Sequence, residues 1–169
     1  TVFHFAQHLQ QFPVGLFGAT IAQAALPTLS AASAKQDKEH FRASLLHSIL
    51  QILFFILPAS VLFIVLRIPI VRLVFGASRF DWQATVLTSI TLSMFSISLF
   101  AQSLVHVFAR GFYALYDSKT PVGVSIVSIA INAIASILFI QFMRLPVWSL
   151  GLSASIASIV NVVVLFILL

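Results

Sequence analysis

Four stretches of the chain, 45–66, 82–109, 120–143 and 145–169, are dominated by apolar residues and contain no Lys, Arg, Asp or Glu. An α-helix rises 1.5 Å per residue, so about 20 residues cross a hydrocarbon core of about 30 Å. Each stretch has that length. A fifth, softer segment, 2–34, is equally free of charge. Backbone amides in lipid must be satisfied within the chain, which makes these stretches helices and not strands. The pattern predicts an all-α, polytopic transmembrane bundle with spans near 2–30, 42–66, 82–112, 120–143 and 147–169. Residues 67–81 read as an interfacial connection. Pro69 suits a helix start there, Ile70, Leu73 and Val74 face one way, Arg72 faces the other, and Gly76 ends the element.

Inside the spans, polar residues return at helical spacing. His4, His8 and Gln11 continue into Gly15, Gly18 and Ala22 on the first, where Pro13 and Pro27 are expected to bend or unwind the helix. The second carries Ser44, His47, Ser48 and Gln51 ahead of a kink at Pro58, and the third a ladder of Ser98, Gln102, His106 and Arg110. Ser125, Ser128, Asn132 and Ser136 mark the fourth, and Gly151, Ser155, Ser158 and Asn161 the fifth. Such stripes join membrane helices by hydrogen bonds of about 0.6 kcal/mol on average. His, Gln and an end-placed Arg are costly in lipid, however, and tend to line aqueous cavities. Five stripes in five helices favour a cavity. Its candidate lining is Arg42, His47, Gln51, Gln102, His106, Arg110, Asn132 and Asn161, whereas Phe54, Phe63 and Phe139 suit lipid or ordinary packing.

Composition narrows the chemistry. Hydrophobic residues make up 60% and charged residues 8%, against about a quarter charged in a soluble chain. The net charge of +5 comes from nine Lys and Arg placed almost wholly in connections, where they orient a membrane protein. That charge is no signature of nucleic acid. Cysteine is absent, and the carboxylates Asp37, Glu39, Asp81 and Asp117 all lie in connections. An intramembrane hydrolase or proton relay needs an acid, a metal cage or an activated nucleophile within the spans. No HExxH, GxSxG or phosphate-cradling glycine loop is present. His4 and His8 have the spacing of a metal pair but lack a third ligand. The expectation is a protein that is not an enzyme and holds no metal or cofactor. With no initiator Met and a final apolar run that ends at Leu169, it is also expected to be a piece of a larger bundle.

The connections carry a more specific signal. The segments FPVGLFGATIAQAALPTLS (12–30), PIVRLVFGASRFD (69–81) and ARGFYALYDSKTPV (109–122) resemble the lipid II flippase family called MurJ or MviN, in order and over nearly the whole chain. The matching positions are Pro27, Arg72, Gly76, Arg110, Phe112, Tyr113, Asp117, Lys119, Thr120 and Pro121. The last segment reads physically as a helix end, a charged turn and a Pro-started helix.

The resemblance implies a fourteen-helix exporter of the bacterial inner membrane, with two six-helix lobes around a cavity that alternates between the two faces. This chain would supply helices seven to eleven, and the remaining helices of the same protein would be its partners, together with membrane lipids. The implied substrate is the lipid-linked disaccharide-pentapeptide pyrophosphate used for peptidoglycan, with cationic side chains holding the headgroup. One position departs from that pattern: the arginine the family usually carries about two turns before the proline of the second span falls on Leu50, beside Gln51. The nearest basic group is Arg42, eight residues earlier or about 12 Å along a helix. Headgroup charge would then come from Arg42 or from the other lobe. Some members also hold sodium between the seventh and eleventh helices; Asn161 matches part of that site, but Leu165 stands where an acid would follow. Arg67, Arg72 and Arg79, with the family pattern, put the 67–81 connection in the cytoplasm and 33–41 and 117–120 outside. The rival readings are a related exporter of drugs or other polyprenyl-linked glycans, and a non-transporting membrane scaffold.

Overall fold

A computed structural model of the chain describes residues 2–75, 81–142, 144, 146 and 148–169. Gly76 and Arg79 of the basic connection, and positions 143, 145 and 147 beside the last span, lie outside the described residues. Helices account for almost everything described: α1 (Val2–Pro13), α2 (Thr20–Ala34), α3 (Lys38–Val65), α4 (Arg67–Phe75), α5 (Trp82–Ile97), α6 (Leu99–Ala114), α7 (Lys119–Ile137) and α8 (Ser149–Leu168). Wide π-helical turns over Val14–Ala19 join α1 to α2, and a second such stretch, Leu138–Phe142, extends α7. Among the described residues, four segments, His4–Ala34, Lys38–Val65, Lys119–Phe142 and Ser149–Leu168, are long and apolar enough to cross a membrane.

α5 and α6 together, bent by 44° between Ile97 and Leu99, are long and apolar enough to be a fifth candidate span. The sequence pattern treats this run as one helix, since neither Pro nor Gly interrupts it before Gly111. The break has a local cause. The Ser98 amide and hydroxyl both donate to the Phe95 carbonyl, at 3.0 and 2.9 Å, which tightens the last turn of α5 to an i−3 pattern. Pro13, by contrast, is followed at once by the π-helical turns, the unwinding expected of a proline inside the first span.

The bent pair forms the centre of the bundle. α1 packs on α5, α2 and α3 on α6, and α8 crosses both, while α7 leans mainly on α8. α5 is nevertheless rich in hydroxyls, with Thr85, Ser89, Thr91, Ser93 and Ser96 all buried. Each returns its hydroxyl to a carbonyl three or four residues back, so burial leaves no polar atom stranded on these five. Ile52, Ile56, Leu99, Val107 and Phe108 fill one apolar core, and Ala6, Val71, Leu92 and Phe95 a second. α4 holds to the bundle through buried Val71 and through the Arg67 guanidinium, which donates 3.2 Å to the Ser93 hydroxyl, while Leu73 and Val74 stay exposed. Small residues allow the closest approaches: Gly18 meets Ser103, and Gly151 meets Thr91 and Met94. The Ser155 hydroxyl donates 2.7 Å to the Met94 carbonyl across the second of these seams.

Two connections repeat one construction. In the first, Gln36 adopts φ 54°, the Asp37 amide donates to the Ala32 carbonyl at 3.1 Å, and the Asp37 carboxylate accepts from the His40 amide at 3.0 Å. In the second, Tyr116 adopts φ 60°, the Asp117 amide donates to the Phe112 carbonyl at 2.9 Å, and the Asp117 carboxylate accepts from the Lys119 and Thr120 amides. A left-handed residue closes one helix and an aspartate opens the next.

Candidate functional site

The polar stripes of four helices converge on one cleft of about 380 Å³. Gln7, Gln10 and Gln11 reach it from α1, Gln102 and His106 from α6. Across from them stand Ser125, Ser128 and Asn132 of α7, and Ser158 and Asn161 of α8. Phe95 and Ile129 add apolar surface. Among the described residues, no Lys, Arg, Asp or Glu lines this space.

Part of its polarity is tied down. The Gln102 amide donates 2.9 Å to the Ser98 hydroxyl at the helix break, so the ladder read from the sequence begins at the bend itself. Ser136 donates to the Asn132 carbonyl oxygen at 3.2 Å and lies 2.7 Å from the Ser153 hydroxyl, joining α7 to α8. Asn161 Oδ1 and Ser128 Oγ, in contrast, are buried and have no hydrogen-bond partner among the described residues. Leaving such an atom unpaired costs about 1–3 kcal/mol.

A second groove, of about 520 Å³, runs between α2 and α3. His40, Ser44, His47 and Gln51 recur along one face of α3 and meet Ala24, Ala25 and Thr28 of α2. Arg42 and Leu50 point elsewhere, both exposed. The eight candidate cavity residues thus divide: Gln102, His106, Asn132 and Asn161 share the first cleft, His47 and Gln51 share the second, and Arg42 and Arg110 line neither. Arg110 sits one turn beyond His106 with its guanidinium 5.8 Å from the Tyr113 ring centre. Gln7 and Gln10, which the sequence reading did not single out, join the first cleft. Counted from Gln7, Gln10, Gln11 and Val14 follow at three, four and seven residues, the helical spacing that marks this face.

The residues that carry the family resemblance have another task. Phe112 and Pro121 are buried, Tyr113 stacks near Arg110, and Asp117, Lys119 and Thr120 form the turn between α6 and α7. Hydrogen bonds from the Thr120 hydroxyl and amide, with help from the Lys119 amide, hold the Asp117 carboxyl below its ordinary value. Arg72 lies 5.2 Å from the Trp82 ring centre, and Pro27 is exposed within α2. Gly76 falls outside the described residues. His4 and His8 are exposed on α1, and no cluster of three or more His, Asp or Glu suited to a metal occurs among the described residues.

The family model for "Lipid II flippase MurJ" matches residues 1–169. A probable lipid II flippase MurJ of Rhizobium meliloti (strain 1021) is 30% identical over 162 residues, covering 96% of this chain and 30% of that protein. Its counterpart in Vibrio cholerae serotype O1 is 28% identical, covering 96% of this chain and 31% of that protein. A solved structure titled lipid II flippase MurJ, inward closed conformation, superposes with a TM-score of 0.86 at 26% identity, covering 98% of this chain and 34% of that one. The chain therefore spans about a third of the length of the proteins it matches. A multi-pass protein of the bacterial inner membrane, this chain belongs to the MurJ family.

Proposed function

We propose that the chain forms one wall of the transport path of a lipid II flippase, which carries the lipid-linked peptidoglycan precursor across the inner membrane by alternating access. The observation that supports this is the amide-lined cleft among α1, α6, α7 and α8, set inside helices that otherwise turn apolar residues outward. Polar side chains at membrane depth are expensive and are retained where they meet water or a substrate. The groove of His40, His47 and Gln51 offers a second polar surface on the same bundle. With Leu50 exposed in place of the family's arginine, the positive charge for a pyrophosphate comes from Arg42 or from the rest of the full-length protein.

Substituting tryptophan for Gln102 or His106 in the full-length protein tests this reading. Each ring would fill the cleft and obstruct passage, so growth of flippase-depleted cells should fail while membrane abundance holds. A scaffold would respond differently, because the same ring overpacks a seam at a cost of about 1–3 kcal/mol and abundance falls. Normal growth at normal abundance in both variants would remove the cleft from the transport path.

A further inference from the structure

We propose that Ser155 of α8 is a positioning residue for the transport path: by donating to the Met94 carbonyl it holds the α5–α6 run bent, and the bend aims Gln102 and His106 at the cleft. The part in transport rests on the flippase reading above.

The bend frees one backbone acceptor. In a regular α-helix the Ser98 amide donates four residues back, to the Met94 carbonyl. Here it donates to the Phe95 carbonyl instead, at 3.0 Å, and the Ser155 hydroxyl takes the Met94 carbonyl at 2.7 Å. Ser155 is only 2% exposed, so bulk water does not compete for that place. The neighbouring helix supplies the donor that the bent helix withholds.

A serine back-bond does not by itself break a helix in this protein. Ser60 and Ser89 also donate to the carbonyl three residues back, at 2.9 and 2.8 Å, and α3 and α5 run on through both. Of these three serines only Ser98 has its i−4 carbonyl bonded by another helix among the described residues. Gly151 makes that approach possible, since a Cβ there would stand 3.0 Å from Met94 Cβ and 3.3 Å from the Thr91 carbonyl oxygen. Ser155 lies one turn further along the same face of α8. Its hydroxyl is also 2.9 Å from the Gly151 carbonyl, a second acceptor within its own helix. Were the run to straighten, the Ser98 amide would reclaim Met94 and Ser155 would return to Gly151, with no hydrogen bond lost. The bent and straight shapes are thus close in bonding, and the Ser155 hydroxyl decides between them.

The bend matters because of what lies beyond it. Gln102 and His106 follow Ser98 by four and eight residues, about 6 and 12 Å along the helix. Opening a 44° bend would swing them by about 4.5 and 9 Å, more than a hydrogen-bond length in each case. Ser158 and Asn161, from the same helix as Ser155, line the cleft across from them. α8 therefore both faces the path and sets the aim of α6.

The test places spin labels on cysteines introduced at Gln83 in α5 and Leu115 at the end of α6, both exposed, in full-length protein otherwise free of cysteine and held in phospholipid nanodiscs. At 1.5 Å per residue the two sites lie about 44 Å apart with the 44° bend and about 48 Å apart without it. Ser155→Ala strands the Met94 carbonyl in the bent shape, so the distance should lengthen by about 2–4 Å. Ser155→Thr keeps the hydroxyl and should hold the wild-type distance. Gly151→Ala pushes α8 off Met94 with the hydroxyl intact, and should lengthen it as Ser155→Ala does. In flippase-depleted cells Ser155→Ala should impair growth at wild-type membrane abundance, and Ser155→Thr should restore it. An unchanged distance in Ser155→Ala, or equal lengthening in Ser155→Thr, would overturn the positioning role. A lengthened distance with full growth support in Ser155→Ala would overturn its part in transport. Wild-type full-length protein that fails to support these cells would overturn the flippase reading, and the distances would still decide what Ser155 does to the bend.

Discussion

Replacing Gly18 with alanine drives the first span away from α6. A Cβ at that position lies 2.9 Å from Ser103 Cα, 3.0 Å from Ser103 Cβ and 3.1 Å from Ser103 Oγ, where ordinary contact begins at 3.4 Å. The nearest of these atoms is backbone, so no rotamer change relieves it, and the helices must part by about half an ångström. Overpacking of this kind costs about 1–3 kcal/mol. The internal control lies three residues away on the same stripe of small residues: a Cβ on Gly15 meets nothing within 4 Å. In the full-length protein, Gly18→Ala should lower the thermal unfolding midpoint and the membrane abundance, and Gly15→Ala should change neither. Adding Ser103→Gly to Gly18→Ala removes two of the three contacts and should restore part of the loss. Wild-type stability in Gly18→Ala, or equal damage from Gly15→Ala, would refute the close approach.

Two other outcomes follow from the connections. Because its hydrogen bonds lower the Asp117 carboxyl in the folded protein, the stabilisation it supplies is present above the ordinary carboxylate pKa of about 3.9 and is lost as pH falls through the lower folded value. The stability advantage of wild type over Asp117→Ala should be constant from pH 7 to 5 and shrink below about pH 4 in thermal melts. Since the chain has no cysteine, single cysteines at Gln36, Ser118 and Arg144 report topology cleanly. An impermeant thiol reagent should reach the first two from one side of the membrane and the third only from the other, and labelling of all three from one side would mean that α7 does not cross.

Much of the fold can be read from charge and turn chemistry. Uninterrupted apolar runs of membrane length can only be helices in lipid, and the Asp-Ser-Lys-Thr-Pro turn at 117–121 encodes both its helix start and its cap. The bend at Ser98 is harder to see, because serine is common inside membrane helices and nothing in its neighbours distinguishes it from Ser93 or Ser96. Only the choice of an i−3 over an i−4 acceptor does so. The cleft is legible in part. Helical spacing puts Gln102 and His106 on one face, but which stripes share a space depends on helix packing, so Arg110 at the end of that ladder turns to Tyr113 while Gln7 and Gln10 from a distant segment complete the lining.

The π-helical turns at Val14–Ala19 also act as a counting device. A π turn holds one residue more than the α-helix needs, and each residue of an α-helix turns its neighbours by about 100°. One continuous span can therefore aim its first half, with Gln7, Gln10 and Gln11, at the cleft shared with α7 and α8, and its second half, with Ala24 and Thr28, at the groove beside α3. Deleting a single residue from 14–19 would allow a regular helix to form and swing the three glutamines about 100° toward lipid or apolar neighbours. The composition would hardly change, yet the wall would lose its polar face. In this protein the length of one short segment, more than the identity of any residue in it, sets which side chains look inward.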